Sequence, residues 1–282
     1  MRNETIRQVL RRGEALLTDS GIQDAEFDAF CLLQQALETD ATHLRLHYPD
    51  AAEPAAADRF LRYIRRRASG EPLQYILGEW DFCGRSFSVG SGVLIPRPET
   101  EFLVSYAVRR LPYGGTLFDV CAGSGCIGIS VALERPDVRV TLIEKYDEPL
   151  RYCFENIRKN NANNVAVLQS DMMEEASIDL PAPDGIVSNP PYIETDALAF
   201  LQAEVQREPR EALDGGTDGL SFYRALRKRW FPLLREGGFL AVECGEGQPR
   251  AVAAMFSPDA QIARDYLDTE RFVTIICHGK DY

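Results

Sequence analysis

Short apolar runs alternate with amphipathic stretches from about residue 114 onward, and this alternation constrains the fold of the 282-residue chain more than any other feature. Strand-like and helix-like segments in this order are typical of an α/β fold, a mostly parallel sheet with helices on both faces. Such sheets bind ligands beyond the carboxyl ends of their strands. The predicted strands are residues 117–120, 138–144, 165–169, 185–188 and 239–243.

The first 70 residues have a different pattern, in which apolar residues recur at helical spacing. Pro54 suits the first turn of a helix, and Gly70 suits its end. We therefore predict a small all-α domain over residues 1–70. Its two apolar stripes are Ala25, Ala29, Leu32, Leu33 and Ala36, and then Ala57, Phe60, Leu61, Ile64 and Ala68.

Residues 71–98 predict a β-hairpin linker between the helical domain and an α/β domain over residues 99–282. Residues 80–83 and 86–89 are strand-like, and Gly84-Arg85 between them suits a two-residue turn. Pro96 and Pro98 then exclude a regular helix or strand.

Composition excludes several classes of protein. The net charge is −12, and all but −1 of it lies after residue 70, so a protein that grips bare nucleic acid is disfavoured. Seven cysteines without C-x-x-C spacing predict free thiols, not disulfides or a zinc site. The chain has no apolar run of membrane-spanning length, and its first residues lack the apolar core of a secretory signal. We expect a cytoplasmic protein.

A loop rich in small residues, residues 119–128, follows the first predicted strand of the sheet. Small residues let a backbone turn sharply and approach a ligand, and the next helix then offers its N-terminal amides. Glu144 ends the following strand, where a carboxylate can accept hydrogen bonds from ribose hydroxyls. The spacing matches the dinucleotide motif G-x-G-x-x-G poorly, and the Walker Gly-Lys-Ser/Thr sequence is absent.

The loop resembles the G-x-G-x-G loop of adenosylmethionine-dependent methyltransferases, with Cys121 in place of the first glycine. That substitution leaves open whether the backbone there has the left-handed geometry of glycine. By the same resemblance, Asp171 accepts a hydrogen bond from the adenine amine, and Met172 packs near the base. The resemblance assigns S-adenosylmethionine contacts to Cys121, Ala122, Gly123, Ser124, Gly125, Glu144, Asp171, Met172 and Asn189.

The sequence Asn189-Pro190-Pro191-Tyr192 follows the apolar strand 185–188. Two prolines fix the backbone. Asn189 Oδ1 and the Pro190 carbonyl can then accept both hydrogens of one NH2 group, and Tyr192 can pack against a planar group. An amide nitrogen is a poor nucleophile, and two acceptors stabilise the positive charge that develops on it. This motif resembles that of enzymes that methylate the exocyclic amine of adenine in DNA, and it also resembles that of enzymes that methylate glutamine side chains in proteins.

Several separated segments resemble one family, the peptide chain release factor glutamine methyltransferases, also called the HemK family. The resemblance extends from about residue 70 to 250. The matching segments are residues 70–78, 93–101, 187–193, 208–209, 212–213, 215–216, 218–220, 223–224, 237–238 and 243–245.

The resemblance implies methyl transfer from S-adenosylmethionine to the glutamine of the Gly-Gly-Gln motif in class I release factors, with S-adenosylhomocysteine as product. Asn189, Pro190 and Tyr192 would be catalytic, and Pro191 would help them form the glutamine pocket. The helical domain would dock the release factor, with the arginines of residues 59–67 as a candidate contact or a solvated helix face. We expect a monomer without metal, membrane or direct DNA contacts.

Three alternatives remain at this stage. The first is glutamine methylation of a ribosomal protein, against which the linker match of residues 70–78 counts. The second is adenine methylation of nucleic acid, which the acidic charge disfavours. The third is a non-catalytic binding protein on a methyltransferase scaffold. Residues 194–219 are expected to form either an irregular surface excursion or a flap over the substrate.

Overall fold

The computed structural model describes residues 4–174 and 181–279. The chain forms two compact units, Met1–Glu79 with Gln202–Arg207, and Trp80–Leu201 with Glu208–Tyr282. The sequence predicts a division of the chain into residues 1–70, 71–98 and 99–282, and it predicts a role for the first part in docking the substrate. Both the division and the role stay predictions.

The described residues of the first unit form five α-helices, and the sequence specifies where three of them begin. Thr5 and Gln8 form a reciprocal capping box at the first helix, and Asp40 accepts hydrogen bonds from two backbone N–H groups at the third. Pro54 is the first residue of the fourth helix, where its missing N–H costs nothing. The helices are α1 (Ile6–Asp19), α2 (Ala25–Leu37), α3 (Ala41–Leu46), α4 (Pro54–Ala68) and α5 (Leu73–Leu77).

Both predicted apolar stripes lie on helices, α2 and α4. All five members of the α2 stripe are buried, and Phe60 and Ile64 of α4 are fully buried. The same unit also buries an ion pair, in which the Arg67 guanidinium donates to the Asp28 carboxylate at 2.5 Å. Arg67 also donates to Glu204.

The arginines of residues 59–67 do not form one free basic patch. Arg59 donates two hydrogen bonds to the Ala36 carbonyl at the end of α2. Arg66 pairs with Glu71, and Arg67 is buried. Arg62 and Arg65 are exposed. Most of this cluster therefore holds the helical unit together.

The predicted hairpin is formed by β1 (Glu79–Phe82) and β2 (Arg85–Ser88), and from Trp80 onward it belongs to the second unit. Its turn is Cys83-Gly84, so the predicted turn Gly84-Arg85 was wrong by one residue. The physical reason is backbone geometry. A two-residue turn of this type needs positive φ at both positions, and Cys83 (50°) and Gly84 (67°) have it, whereas Arg85 is already in the strand.

A seven-stranded sheet forms the centre of the second unit, in the order β5-β4-β3-β6-β7-β9-β8. The first five strands in this order are parallel, and β9 and β8 are antiparallel additions at one edge. The strands are β3 (Thr116–Val120), β4 (Arg139–Glu144), β5 (Val165–Gln169), β6 (Gly185–Ser188), β7 (Phe239–Glu243), β8 (Gln261–Arg264) and β9 (Glu270–Ile276).

All five predicted strands are present, with bounds that differ by at most one residue. Successive residues of β3 enter different apolar clusters, Leu117 on one face and Phe118 and Val120 on the other. Helices therefore cover both faces of the sheet, as predicted. The α-helices among the described residues of this unit are α6 (Glu101–Arg110), α7 (Cys126–Glu134), α8 (Asp147–Asn160), α9 (Ser221–Ala225) and α10 (Pro249–Phe256).

The seven cysteines are free thiols, as predicted. Within the described residues, no helix is both long enough and apolar enough to cross a bilayer.

Gly13 provides a test of the helical packing in the first unit. A β-carbon at Gly13 would lie 2.3 Å from Phe60 Cζ and 3.1 Å from Ile64 Cδ1. Alanine is better than glycine in an open helix by about 1 kcal/mol, but overpacking a core costs about 1–3 kcal/mol. Since the Phe60 ring is fully buried, we expect Gly13→Ala to lower the free energy of unfolding in urea by about 1 kcal/mol. Arg11→Ala, on the exposed face of the same helix, is the control. A Gly13→Ala variant more stable than the parent would contradict this packing.

Candidate active site

The carboxyl ends of four parallel strands, β3, β4, β5 and β6, border one cavity of about 410 Å³. This volume is in the ordinary range for sites that bind small molecules. Nine predicted site residues line the cavity, and three, Gly125, Pro190 and Tyr192, do not. The nine are Cys121, Ala122, Gly123, Ser124, Glu144, Asp171, Met172, Asn189 and Pro191.

The loop after β3 turns sharply through three left-handed residues, Cys121, Gly123 and Gly125, with φ of 62°, 57° and 77°. Cys121 therefore adopts the geometry that glycine has in the resembling motif, at a steric cost that glycine avoids. Gly125 immediately precedes α7, where a β-carbon would lie 2.8 Å from Leu142 Cδ1. Gly125 thus shapes the loop from behind the cavity wall.

Glu144, the last residue of β4, fastens the loop to its own strand end. Its Oε2 accepts a hydrogen bond from Gly123 N at 2.9 Å, and its Oε1 accepts from Lys145 N and Tyr146 N at 2.8 and 3.0 Å. Burial raises the pKa of Glu144, and these N–H groups oppose the rise. A carboxylate has about four acceptor positions. In this geometry about one of them remains for a ligand.

Asp171 and Met172 follow β5 at the same edge. The Lys145 ammonium lies 2.8 Å from Asp171 Oδ2. Burial opposes ionisation of Asp171, but the hydrogen bond from Lys145 lowers its pKa. The Met172 carbonyl accepts a hydrogen bond from the fully buried Trp230 indole at 3.0 Å, which fixes this part of the cavity wall.

The Asn-Pro-Pro-Tyr segment contributes Asn189 and Pro191 to the cavity wall. Pro190 is buried. The Tyr192 ring packs toward Gly245, and Gln248 Nε2 donates to the Tyr192 carbonyl at 2.9 Å. Burial, with the nearby charge of Glu243, raises the pKa of Tyr192, so its phenol is neutral at ordinary pH.

Sequence reasoning did not assign site roles to several residues that line the cavity. Residues 94–97 line one side of the cavity. The segment of residues 194–219 contributes Pro209, Glu211 and Ala212 to the cavity wall. The buried Glu208 carboxylate accepts a hydrogen bond from Ile95 N at 3.0 Å and pairs with Arg97. The prolines at positions 96 and 98 were the sequence feature that could have marked residues 94–97 as part of the site. Phe222 also lines the cavity, and no feature named in the sequence analysis marks it as a site residue.

The described residues contain no group of three or more histidine, cysteine, aspartate or glutamate side chains placed to hold a metal ion. The cavity is bordered mainly by apolar side chains and by the polar groups described above.

Two family models match parts of this chain. A family model described as PrmC N-terminal domain matches residues 8–78, and one described as Methyltransferase small domain matches residues 98–217. The release factor glutamine methyltransferase of Geobacter sulfurreducens is 39% identical over 257 residues, covering 90% of this chain and 88% of that protein. This chain belongs to the release factor glutamine methyltransferase family. The family member from Moorella thermoacetica is 38% identical, covering 95% of this chain and 96% of that protein.

A solved structure confirms the predicted fold class. The methyltransferase from Pyrococcus furiosus superposes with a TM-score of 0.53, covering 70% of this chain and 90% of that chain. Its sequence identity is 17%, so the likeness concerns the fold alone.

Cys121 gives a test of the left-handed loop. Cys121→Gly and Cys121→Ala both remove the thiol, but only glycine removes the β-carbon that crowds a left-handed backbone. We expect the glycine variant to be more stable than the alanine variant by about 1 kcal/mol in thermal or urea unfolding. Cys126, at the start of α7, is the matched control, where alanine should be the more stable. The same order at both positions would contradict the strained loop.

Asp119 gives a test by pH. It is fully buried in β3, its Oδ2 accepts from Gly128 N at 2.8 Å, and its Oδ1 has no partner among the described residues. Burial raises the pKa of Asp119 to about 7. The folded protein therefore keeps a proton that the unfolded chain loses near pH 4, and stability falls as pH rises between these values.

We expect Asp119→Asn to flatten the fall of Tm between about pH 5 and pH 7, because the group no longer titrates. Asp58→Asn, on the exposed surface of the first unit, is the control and should leave the slope unchanged. Parallel profiles for the parent and Asp119→Asn would exclude the raised pKa.

Proposed function

We propose that this protein transfers a methyl group from S-adenosylmethionine to the side-chain amide nitrogen of the glutamine in the Gly-Gly-Gln motif of class I release factors. The observation that supports this most is one cavity bordered by the 121–125 loop, Glu144 and Asn189. The chain that carries it is 39% identical to a release factor glutamine methyltransferase over 90% of its length.

The cavity suits S-adenosylmethionine in size and chemistry. The remaining acceptor position of Glu144 would take a ribose hydroxyl, and Asp171 would accept from the adenine amine alongside Lys145. Met172 and Phe222 offer apolar surface to the base, and the 121–125 loop allows close approach. When bound, the cofactor supplies an electrophilic methyl group on a sulfonium.

The residues of the Asn-Pro-Pro-Tyr segment would act on the substrate nitrogen. Asn189 Oδ1 and the Pro190 carbonyl would accept its two hydrogens, hold its lone pair toward the cavity and stabilise the charge that develops on it. Pro191 and Tyr192 would border the glutamine side chain. No histidine is among the described residues that line the cavity. The two acceptors are the groups assigned to this nitrogen before transfer, and the nitrogen would lose its proton to water afterwards.

Two rival substrates are weaker on specific grounds. The match of residues 8–78 to the PrmC N-terminal domain supports a release factor over a ribosomal protein. The net charge of −12 disfavours a nucleic acid substrate. The free cysteines suit a reducing compartment, so we propose that the enzyme acts in the cytoplasm.

The test uses purified protein, methyl-labelled S-adenosylmethionine and two release factor preparations, one with the intact Gly-Gly-Gln motif and one with that glutamine changed to alanine. We expect label on the first alone. Equal labelling of both would place the acceptor at another residue. Label on neither, with cofactor binding intact by calorimetry, would reject the release factor as substrate. Failure of the folded protein to bind the cofactor would favour the non-catalytic alternative.

Asn189→Ala tests the proposed role of the amide. We expect turnover to fall by a factor of about 100 or more, because an electrostatic acceptor at the reacting nitrogen is lost. The affinity for S-adenosylmethionine should change only modestly. Asn163→Ala, at an exposed position, is the matched control. An Asn189→Ala variant with turnover near that of the control would reject this role.

A further inference from the structure

The side chain that the proposed function uses most directly, Asn189, lies beside a buried acid that no assigned role explains. β6 and β7 are parallel, with Ser188 opposite Val242, so Asn189 and Glu243 are the next pair along the two strands. Glu243 is 2% exposed. The register of β6 and β7 therefore brings the Glu243 carboxyl group near the Asn189 side chain.

Thr100 connects these two side chains. Its hydroxyl donates to Glu243 Oε2 at 2.6 Å, and its Oγ1 accepts a hydrogen bond from Asn189 Nδ2 at 3.3 Å. Thr100 is itself 2% exposed and lines the cavity together with Asn189. The three residues form a chain of hydrogen bonds that runs from the buried acid to the cavity wall.

Which group donates in each of these hydrogen bonds decides whether Oδ1 or Nδ2 of Asn189 remains available to a ligand. A hydroxyl has one proton, and a short bond to a carboxylate is the stronger use of it. With that proton committed to Glu243, Thr100 can only accept from Asn189. A reversed amide would place Asn189 Oδ1 against an oxygen that has no proton to donate. The network thus anchors Nδ2 and leaves Oδ1 as the free acceptor.

We propose that Thr100 and Glu243 are positioning residues that fix the orientation of the Asn189 amide, so that Oδ1 is presented to the substrate nitrogen. This inference rests on the proposed function. Neither residue touches the substrate in this account. Their effect on the reaction passes through Asn189.

The surroundings of Glu243 make the hydrogen bonds between Glu243, Thr100 and Asn189 sensitive to pH. The charged and titratable groups that face it are Arg271 on β9, Arg97 and Glu99 before α6, Tyr192 after β6, Tyr223 on α9 and the neighbouring Cys244. Burial raises the pKa of Glu243 to about 7, against the opposing effects of the Thr100 hydrogen bond and Arg271. Above that pH the carboxylate accepts from Thr100. Below it, a protonated Glu243 can donate to Thr100, which then can donate to Asn189 and favour the reversed amide.

The test compares two substitutions at Thr100. Thr100→Val keeps the shape and removes the hydroxyl, whereas Thr100→Ser keeps the hydroxyl. We expect Thr100→Val to lower kcat about 10-fold to 100-fold, with the affinity for S-adenosylmethionine within about 2-fold of the parent, and Thr100→Ser to recover most of kcat. Thr274→Val, the same change at a buried strand position of β9, is the control. Equal kcat for the valine and serine variants would overturn the proposal.

A second measurement needs no catalysis. In the parent protein labelled with ¹⁵N-asparagine, the Asn189 side-chain amide signal, assigned with Asn189→Ala, is followed from about pH 5.5 to pH 8.5. We expect it to shift with a midpoint near 7, the pKa of Glu243, and to lose that response in Glu243→Gln. A signal that does not change with pH would overturn the proposal, also in the event that Thr100→Val fails to fold. If the parent transfers no label to the release factor, the proposed function fails. The pH response of the Asn189 amide signal then still tests the hydrogen bonds between Glu243, Thr100 and Asn189.

Discussion

Glu144 joins two segments that would otherwise be independent loops, and the cavity depends on this one carboxylate. Its hydrogen bonds to Gly123, Lys145 and Tyr146 hold the end of β4 against the loop after β3. The parallel register of β3 and β4 brings the two segments together, and the carboxylate fixes their separation. Among the described residues, three backbone N–H groups, and no basic side chain, stabilise this buried carboxylate. The loop can then expose its small residues to a ligand.

The sequence predicted the parallel part of the sheet almost to the residue, because its strands are short segments built around apolar residues. It missed β8 and β9, whose antiparallel pairing depends on a partner strand and includes an irregular register between Ala263 and Arg264. The turn of the hairpin was misplaced by one residue because Cys83, a residue with no preference for positive φ, has that geometry.

The cavity wall was only partly predictable, for a related reason. Residues near the motifs, such as Glu144 and Asn189, were found from their spacing along the chain. Residues that reach the cavity through distant partners were not. Glu208 binds Ile95 N across 113 residues of sequence, and Thr100 binds Glu243 across 143. No local pattern encodes such pairs, since each partner alone has the features of an ordinary loop or strand residue.

The number of methyl groups transferred tests the central claim most directly. In the proposed mechanism, two acceptors bind the two hydrogens of the glutamine amide. After one transfer, a methyl group takes the place of one hydrogen. It would face one of the two acceptor oxygens without donating a hydrogen bond, and an unpaired buried acceptor costs free energy. Exhaustive reaction of a release factor with excess S-adenosylmethionine, followed by mass spectrometry of the Gly-Gly-Gln peptide, should give one methyl group and no second. Two methyl groups on that nitrogen, added at comparable rates, would contradict the account.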